Sequence, residues 1–534
     1  MKVVVFSSAV VALAACASAL GQVQIPHKFS SGGPARAADV NENFEALAAG
    51  INASNAAIRN PPAGPAGPPG PAGPAGAPGP AGPPGPAGPA GGAGTGGTAD
   101  AAASVAIVAA VGGNYATPHD AVANLTAGDA WCRAANADPA AFPCVISIAP
   151  GIYELPQTLV VPPFVAVMGY GPKSTVLRAR PGVQLAVQLG VQPPDHPADL
   201  GISLRDIAVE NTLSAQATAV ALELPVEAGV EVLNVRALAI GPSESVAVRV
   251  AGEGAGAANR IESLEAHATG GTSSIGLHIE RPGASQRLER CSITATGGGT
   301  NVGVESAAFA TLSQCQISAT GGHTAIALRV VGEGSQSNTS IWVDNSTLRA
   351  RAATTVSTGF YGHRLIGAIF RDVAIEASGG GENTGVWLSQ NPPFGEGYFD
   401  GVRAEVSGGA RSTGMYNEGG HFDGQSMTVI RSSFAGFGYG GQGYGIRLGS
   451  GTEGPRLSLV SSTPSGSTAS MFYEGPPRDV WGTNGPPLVV HISDSQIGPL
   501  SMGGHFVKCV AVRDSAGFYP STCPPGSVYT PSPF

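Results

Sequence analysis

The sequence predicts an all-β protein: a right-handed parallel β-helix, preceded by a short coiled coil and a collagen-like triple helix. Two observations carry this. Glycine recurs at every third residue in one block, and behind it runs an imprecise repeat of roughly 22 to 34 residues. Each repeat holds a strand of the type S-x-G-apolar-x and, further on, a strand ending I-x-A-x-G-G. Helical periodicity is absent from the repeats, which leaves a solenoid of short strands and Gly-rich turns.

Composition agrees with this reading. The 534 residues include 78 Gly and 44 Pro, and only 12% are charged, which departs from globular averages. The net charge is -9 with Lys and Arg scattered singly, so there is no basic stripe for phosphate backbones and no nucleic-acid partner is expected.

Residues 1–21 read as an export signal. Lys2 precedes an apolar run from Val3 to Ala15, broken only by Ser7 and Ser8, and small residues follow. The run is too short to span a bilayer, and no later stretch reaches about 20 apolar residues. Leu13-Ala14-Ala15-Cys16 resembles a bacterial lipobox, in which Cys16 would be lipidated; cleavage before Gln22 is the alternative. Either route places the mature chain outside a bacterial cell or on its surface, and the lipid would be its only membrane contact.

Residues 22–60 contain Val40, Phe44, Leu47, Ile51 and Ile58 at the spacing of an a/d seam, with Asp39 and Glu42 as a capping box. A helix of under three heptads barely repays its nucleation alone, so it calls for partners, as in a trimeric coiled coil. The stretch from Ile25 to Leu47 is loosely similar to a segment near the start of many bacterial surface and tail-fibre-like proteins. In residues 61–98, Gly64, 67, 70, 73, 76, 79, 82, 85, 88, 91, 94 and 97 hold strict period three. A flexible linker would explain the composition but not the register. Only glycine fits the crowded axis of three polyproline-type chains, so the block predicts a homotrimer and a rod about 100 Å long. It resembles the blocks of bacterial collagen-like proteins.

Residues 105–500 are the predicted β-helix. Aligning the first strand type gives an inward column of Leu277, Val304, Ile326, Phe360, Val386, Met415 and Ile446. The next residues, His278, Glu305, Ala327, Tyr361, Trp387, Tyr416 and Arg447, then alternate outward. Thr117 caps a short helix starting at Pro118, whose Ala121, Val122 and Leu125 suit the open end of the solenoid. Residues 144–155 and 159–177 resemble the opening coils of the pectin-lyase-like superfamily, with its I-x-I-x-P-G-x-Y and V-x-G-x-G-x-x-T-x-L patterns. The resemblance implies the β-helix architecture; at the far end, residues 507–523, with Cys509 and Cys523, read as a disulfide-clipped closing hairpin in a cap at 501–534.

Setting Cys16 aside, six cysteines form three local pairs: Cys132 with Cys144, Cys291 with Cys315, and Cys509 with Cys523. In an oxidising compartment these read as disulfides, with buried free thiols the alternative. Cys291 and Cys315 occupy one position in successive coils, where they either stack or cross-link.

Catalytic signatures of the superfamily are missing: there is no Asp-Asp pair, G-H-G, R-x-K or R-x-P-x-x-R. Asp344 in IWVDN reads as a polar residue at a coil corner. No metal-ligand spacing and no nucleotide-binding fingerprint occurs, so no cofactor is expected. His363-Arg364 and His421-Phe422-Asp423 are polar surface clusters in the aromatic-rich coils. The outward column Tyr361, Trp387, Tyr416, capped by Arg447, is the candidate ligand surface. Its rings suit sugar faces, suit a protein partner, or simply stack on one another.

The expected function is that of an exported trimeric structural or adhesive surface protein that presents β-helix heads, with a polysaccharide or surface-protein ligand. The alternative is a carbohydrate-active enzyme, a polysaccharide lyase or glycoside hydrolase, whose residues converge from separate coils. A cleft with two carboxylates and an Arg or Lys beside the ladder would favour the enzyme; a flat Ser/Thr/Gly surface would favour the adhesin.

Overall fold

A computed structural model describes residues 105–531 apart from 126–143, 191–200, 215–216, 226–228, 253–257, 281–284, 333–338, 353, 392–395, 422–425, 439–440, 454–455, 474–488, 499, 516 and 525–526. Before residue 105 it describes only Glu42 and Ala46, both helical. The export signal with Cys16, the coiled coil, the triple helix and Cys132 lie outside the described residues.

Each coil uses three strands. The coil from 259 to 279 runs Asn259–Glu262, then Glu265–Thr269, then Ser273–Ile279. Each strand pairs in parallel with its counterpart one coil on: Asn259 with Gln286, Glu265 with Ser292, Ser273 with Thr300. Three parallel sheets result, here called I, II and III in chain order. The register of sheet III advances by 27 residues (273 to 300), 24 (300 to 324) and 32 (324 to 356). Connections that return to the same sheet in parallel are right-handed in nearly all proteins. The one described antiparallel pair joins Val512–Arg513 to Phe518–Tyr519.

Each corner has a local chemical cause. Between sheets I and II one residue takes the left-handed conformation, among them Ser263, Arg290, Gln314, Asn345, Asp372 and Arg431, with φ between 46° and 56°. Between sheets II and III the Gly-Gly pairs serve: a Cβ on Gly322 (φ 70°) would meet the Gly298 carbonyl oxygen at 2.3 Å. Within sheet III the register pairs Ile275 with Val302 and Leu277 with Val304 but skips Gly276 and Gly303 between them. The strand bends there, over a row of small residues. Val220, Val246, Ile275 and Val302, just before the bend, form a cluster separate from the main core.

The inner row of sheet III holds Leu277, Val304, Leu328, Phe360, Val386, Met415 and Ile446, all nearly inaccessible. One member of the expected column is therefore wrong: Val304 pairs with Leu328, not Ile326, and Glu305 with Arg329, not Ala327. The bend residue of that coil is Ala327 rather than glycine, so an alignment anchored on glycine slipped by two positions. Deeper in the same region Phe360, Phe370, Phe399 and Phe434 stack through the core at centroid separations of 4.7, 5.4 and 6.3 Å.

The residue after each left-handed corner points inward and forms its own column: Leu264, Cys291, Cys315, Ser346, Val373, Val402, Ser432, Ser462 and Ser495. Cys291 and Cys315 are cross-linked, with Cα atoms 4.5 Å apart, and Cys509 is bonded to Cys523. Cys144 is also disulfide-bonded. The serines of the column are bonded from coil to coil; the Ser462 hydroxyl accepts from the Ser432 N–H at 3.3 Å and donates to the Val460 carbonyl at 2.9 Å.

At the first coil, the helix Pro118–Ala123 is capped by Thr117, whose hydroxyl accepts from the Asp120 N–H at 3.2 Å. It buries Ala121 and Leu125 against the core. At the far end the parallel pairing continues past residue 500, since Leu500–Val510 pairs with Val489–Ser493.

Candidate functional site

The outer row of sheet III is continuous through ten coils: Glu223, Arg249, His278, Glu305, Arg329, Tyr361, Trp387, Tyr416, Arg447 and Phe472. Its first half is ionic, with Arg249 2.9 Å from Glu223 and Arg329 3.1 Å from Glu305. Its second half is aromatic. The structure thus brings Tyr361, Trp387, Tyr416 and Arg447 together on successive coils, as the sequence led us to expect.

The rings do not form a parallel stack of exposed faces. Tyr361 meets Trp387 edge-on at 5.3 Å and 87°, and Trp387 meets Tyr416 at 5.8 Å and 45°. All three are half-buried, and the Arg447 guanidinium lies over the Tyr416 ring at 4.1 Å. Each ring therefore spends part of its surface on its neighbours.

Beside the rings is a cavity of about 220 Å³ lined by Glu382, Asn383, Thr384, Trp387, Arg411, Tyr416, Glu418 and Arg447. The bend in sheet III shapes it: Glu382 and Thr384 stand before the bend, Trp387 after it, and all three face one depression. The row just before the bend, of which Thr384 alone lines the cavity, changes along the same axis. The row Val220, Val246, Ile275, Val302, Ile326 gives way to Thr358, Thr384 and Thr413 where the outer wall turns aromatic.

Both carboxylates are engaged. Glu382 pairs with Arg411 at 3.0 Å. Glu418 sits at a register shift between Asn417 and Gly419, a bulge that turns its side chain back toward the ladder. There it accepts from the Trp387 indole N–H at 3.1 Å and the Ser389 hydroxyl at 2.6 Å. His363 stacks on Tyr361 at 6.3 Å and 4°. Its pKa is lowered, first by burial and then by Arg364, with Glu418 acting in the opposite direction.

Chemically, this is a cleft that offers ring surface, paired charges and hydroxyls together. By the criterion set out above, a cleft that holds two carboxylates and two arginines beside the ladder is the outcome that favours the enzyme reading, not the flat Ser/Thr/Gly surface of the adhesin. Sequence reading missed Glu382, Arg411, Thr384 and Glu418, which come from positions two to five residues away from the ladder on neighbouring coils. The signal was present in the pairing of Glu382 with Arg411, visible only once the register is known. Of the polar clusters, His363 joins the site; Asp344 precedes the left-handed Asn345 at a corner, as expected. Phe422 and Asp423 lie outside the described residues. Among the described residues no group of His, Cys, Asp and Glu could hold a metal ion.

No protein-family model matches the chain, and no curated protein matches it. Solved structures similar to it include pectin methylesterase PemA from Erwinia chrysanthemi, at 11% identity over 46% of this chain and 78% of that one, TM-score 0.29. The A-module of the Azotobacter vinelandii mannuronan C-5 epimerase AlgE6 aligns at 12% identity over 67% and 91%, TM-score 0.37. Tailspike protein 3 of bacteriophage CBA120 aligns at 10% identity over 71% and 57%, TM-score 0.36. Likeness at this level says nothing about activity, and the fold assignment rests on the parallel register itself.

Proposed function

We propose that the chain is an exported bacterial surface protein whose β-helix heads bind a glycan along the Tyr361–Trp387–Tyr416 ladder, and that its collagen-like block gathers three such heads. The observation that carries this reading is the cleft itself: aromatic rings advancing one coil at a time beside a polar cavity. Aromatic faces suit the C–H faces of sugars, while Arg447, Glu382 and Thr384 suit their hydroxyls. The indole N–H held by Glu418 fixes the central ring, which lowers the entropy lost on binding. Three heads on one stalk would turn weak single contacts into avid ones.

A second reading, glycan cleavage, is favoured by one specific observation: two carboxylates and two arginines share the cleft. Against it, the Glu382 side chain is 55% exposed and Glu418 is exposed, whereas a general acid is kept protonated by an apolar surround. The test is incubation of the purified protein with a polysaccharide panel, scoring both retention and products. Retention without products supports binding. New reducing ends or unsaturated products, abolished by Glu418→Gln or Glu382→Gln, would establish the enzyme instead.

A further inference from the structure

The outer face of sheet II is mainly polar, with His267, Thr294, Ser318 and Glu376, and exposes two large apolar residues, Ile152 and Phe437; sheet III carries the cleft and exposes Val160. Sheet I differs. Eleven large apolar side chains of the described residues are exposed, and five of them, Val105, Ile107, Met168, Trp342 and Val510, lie on its outer face.

Four of the five fall in two groups, and Val510 stands apart on the last coil. The first strand, Val105–Val108, exposes Val105 to 51% and Ile107 to 46%, and two coils on Met168 is 39% exposed beside a cavity of about 430 Å³. A charged band follows, in which Arg205 pairs with Glu231 at 2.6 Å, Arg260 with Glu262 at 2.8 Å and Arg287 with Glu289 at 2.6 Å. Beyond it Trp342, 44% exposed, stands in register with Ile369 and Tyr398 on the next two coils. Soluble surfaces rarely expose apolar residues in a line along one face unless that face is covered.

The sequence says what stands nearest. The last period-three glycine is Gly97, and the eight peptide steps from there to Val105 reach at most about 28 Å when fully extended. Three chains wound together would thus start their heads within one short tether of each other, with the exposed Val105 and Ile107 strand first. Closed threefold symmetry turns the same face of every copy toward the axis. We propose that the outer face of sheet I is the surface on which the three heads pack, the two apolar patches in contact and the charged band between them, leaving the sheet III clefts outward. This rests on the three-chain reading given above.

The test compares the full chain with a stalk-broken variant (Gly76→Asp, Gly79→Asp and Gly82→Asp together), using hydroxyl-radical labelling read residue by residue and mass from light scattering. The expected result is a three-chain mass for the unaltered protein, with Met168 and Trp342 labelled several-fold more slowly than in the stalk-broken chain. Ile152 and Phe437, exposed to 57% and 47% on sheet II, should label equally in both. A three-chain mass with equal labelling of Met168 and Trp342 would overturn the packing proposal and leave the stalk intact. A one-chain mass would overturn the trimer and this proposal with it. As a second arm, Met168→Asp with Trp342→Asp should keep the three-chain mass while lowering the sedimentation coefficient as the heads separate; an unchanged coefficient counts against the proposal.

Discussion

Replacing both Cys291 and Cys315 by serine isolates what the cross-link between coils contributes. The column these residues occupy already holds Ser346, Ser432, Ser462 and Ser495, whose hydroxyls are satisfied by the neighbouring backbone. The introduced hydroxyls meet the same surroundings; the Cys315 sulfur already lies 3.5 Å from the Ser313 carbonyl. The substitution therefore removes the bond without leaving buried polar groups unpaired. The bond closes a loop of 24 residues. Loop-closure entropy for that length corresponds to about 3.5 kcal/mol at room temperature. Urea unfolding of both proteins without reductant, followed by circular dichroism, should show a loss of about that size. A loss under about 1 kcal/mol would refute the chain-entropy argument. A loss above about 6 kcal/mol would refute the claim that the column accepts serine.

Other consequences follow from the corners and the cleft. Gly359→Ala places a methyl 2.1 Å from the Ile375 Cγ2 atom and should cost about 1–3 kcal/mol in thermal or urea unfolding, whereas Ala327→Gly in the same row should not introduce a clash. Because burial lowers the His363 pKa below 6.5 in the folded state, its contribution to stability is complete above pH 6.5 and is lost as pH falls below it; His363→Gln should flatten Tm against pH below 6.5. Trp387→Phe retains ring contacts with Tyr361 and Tyr416 but loses the N–H bond to Glu418, so it should weaken glycan binding by about fivefold, roughly 1 kcal/mol. Titration calorimetry with the tightest-binding glycan checks this, and an unchanged Kd would show that Glu418 does not position the ring.

The architecture was legible because two of its devices leave marks in sequence. The Gly-Gly corners at 270–271, 321–322 and 408–409 recur at similar places, and the apolar alternation in sheet III sets the phase of each coil. The corner between sheets I and II was not legible, because its left-handed residue is Ser, Arg, Gln, Asn or Asp in turn and has no shared side-chain chemistry. The slip at Ile326 shows the same weakness: once alanine replaced glycine at the bend, the pattern lost its anchor. The ladder could be read because one strand position repeats. Its partners could not, since Glu418 depends on a bulge and Glu382 on a bend, and both are properties of pairing rather than of spacing along the chain.

The central claim is that the aromatic cleft of sheet III is the ligand surface. Equilibrium binding of the intact protein to a polysaccharide panel tests it most directly, with Trp387→Ala in the cleft and Trp342→Ala on sheet I measured alongside. Loss of a central aromatic anchor should cost about 2 kcal/mol or more, about thirtyfold in Kd for each head. The account predicts that loss for Trp387→Ala and a single-head affinity unaltered by Trp342→Ala. Binding that survives Trp387→Ala, or no binding to any glycan, would contradict it.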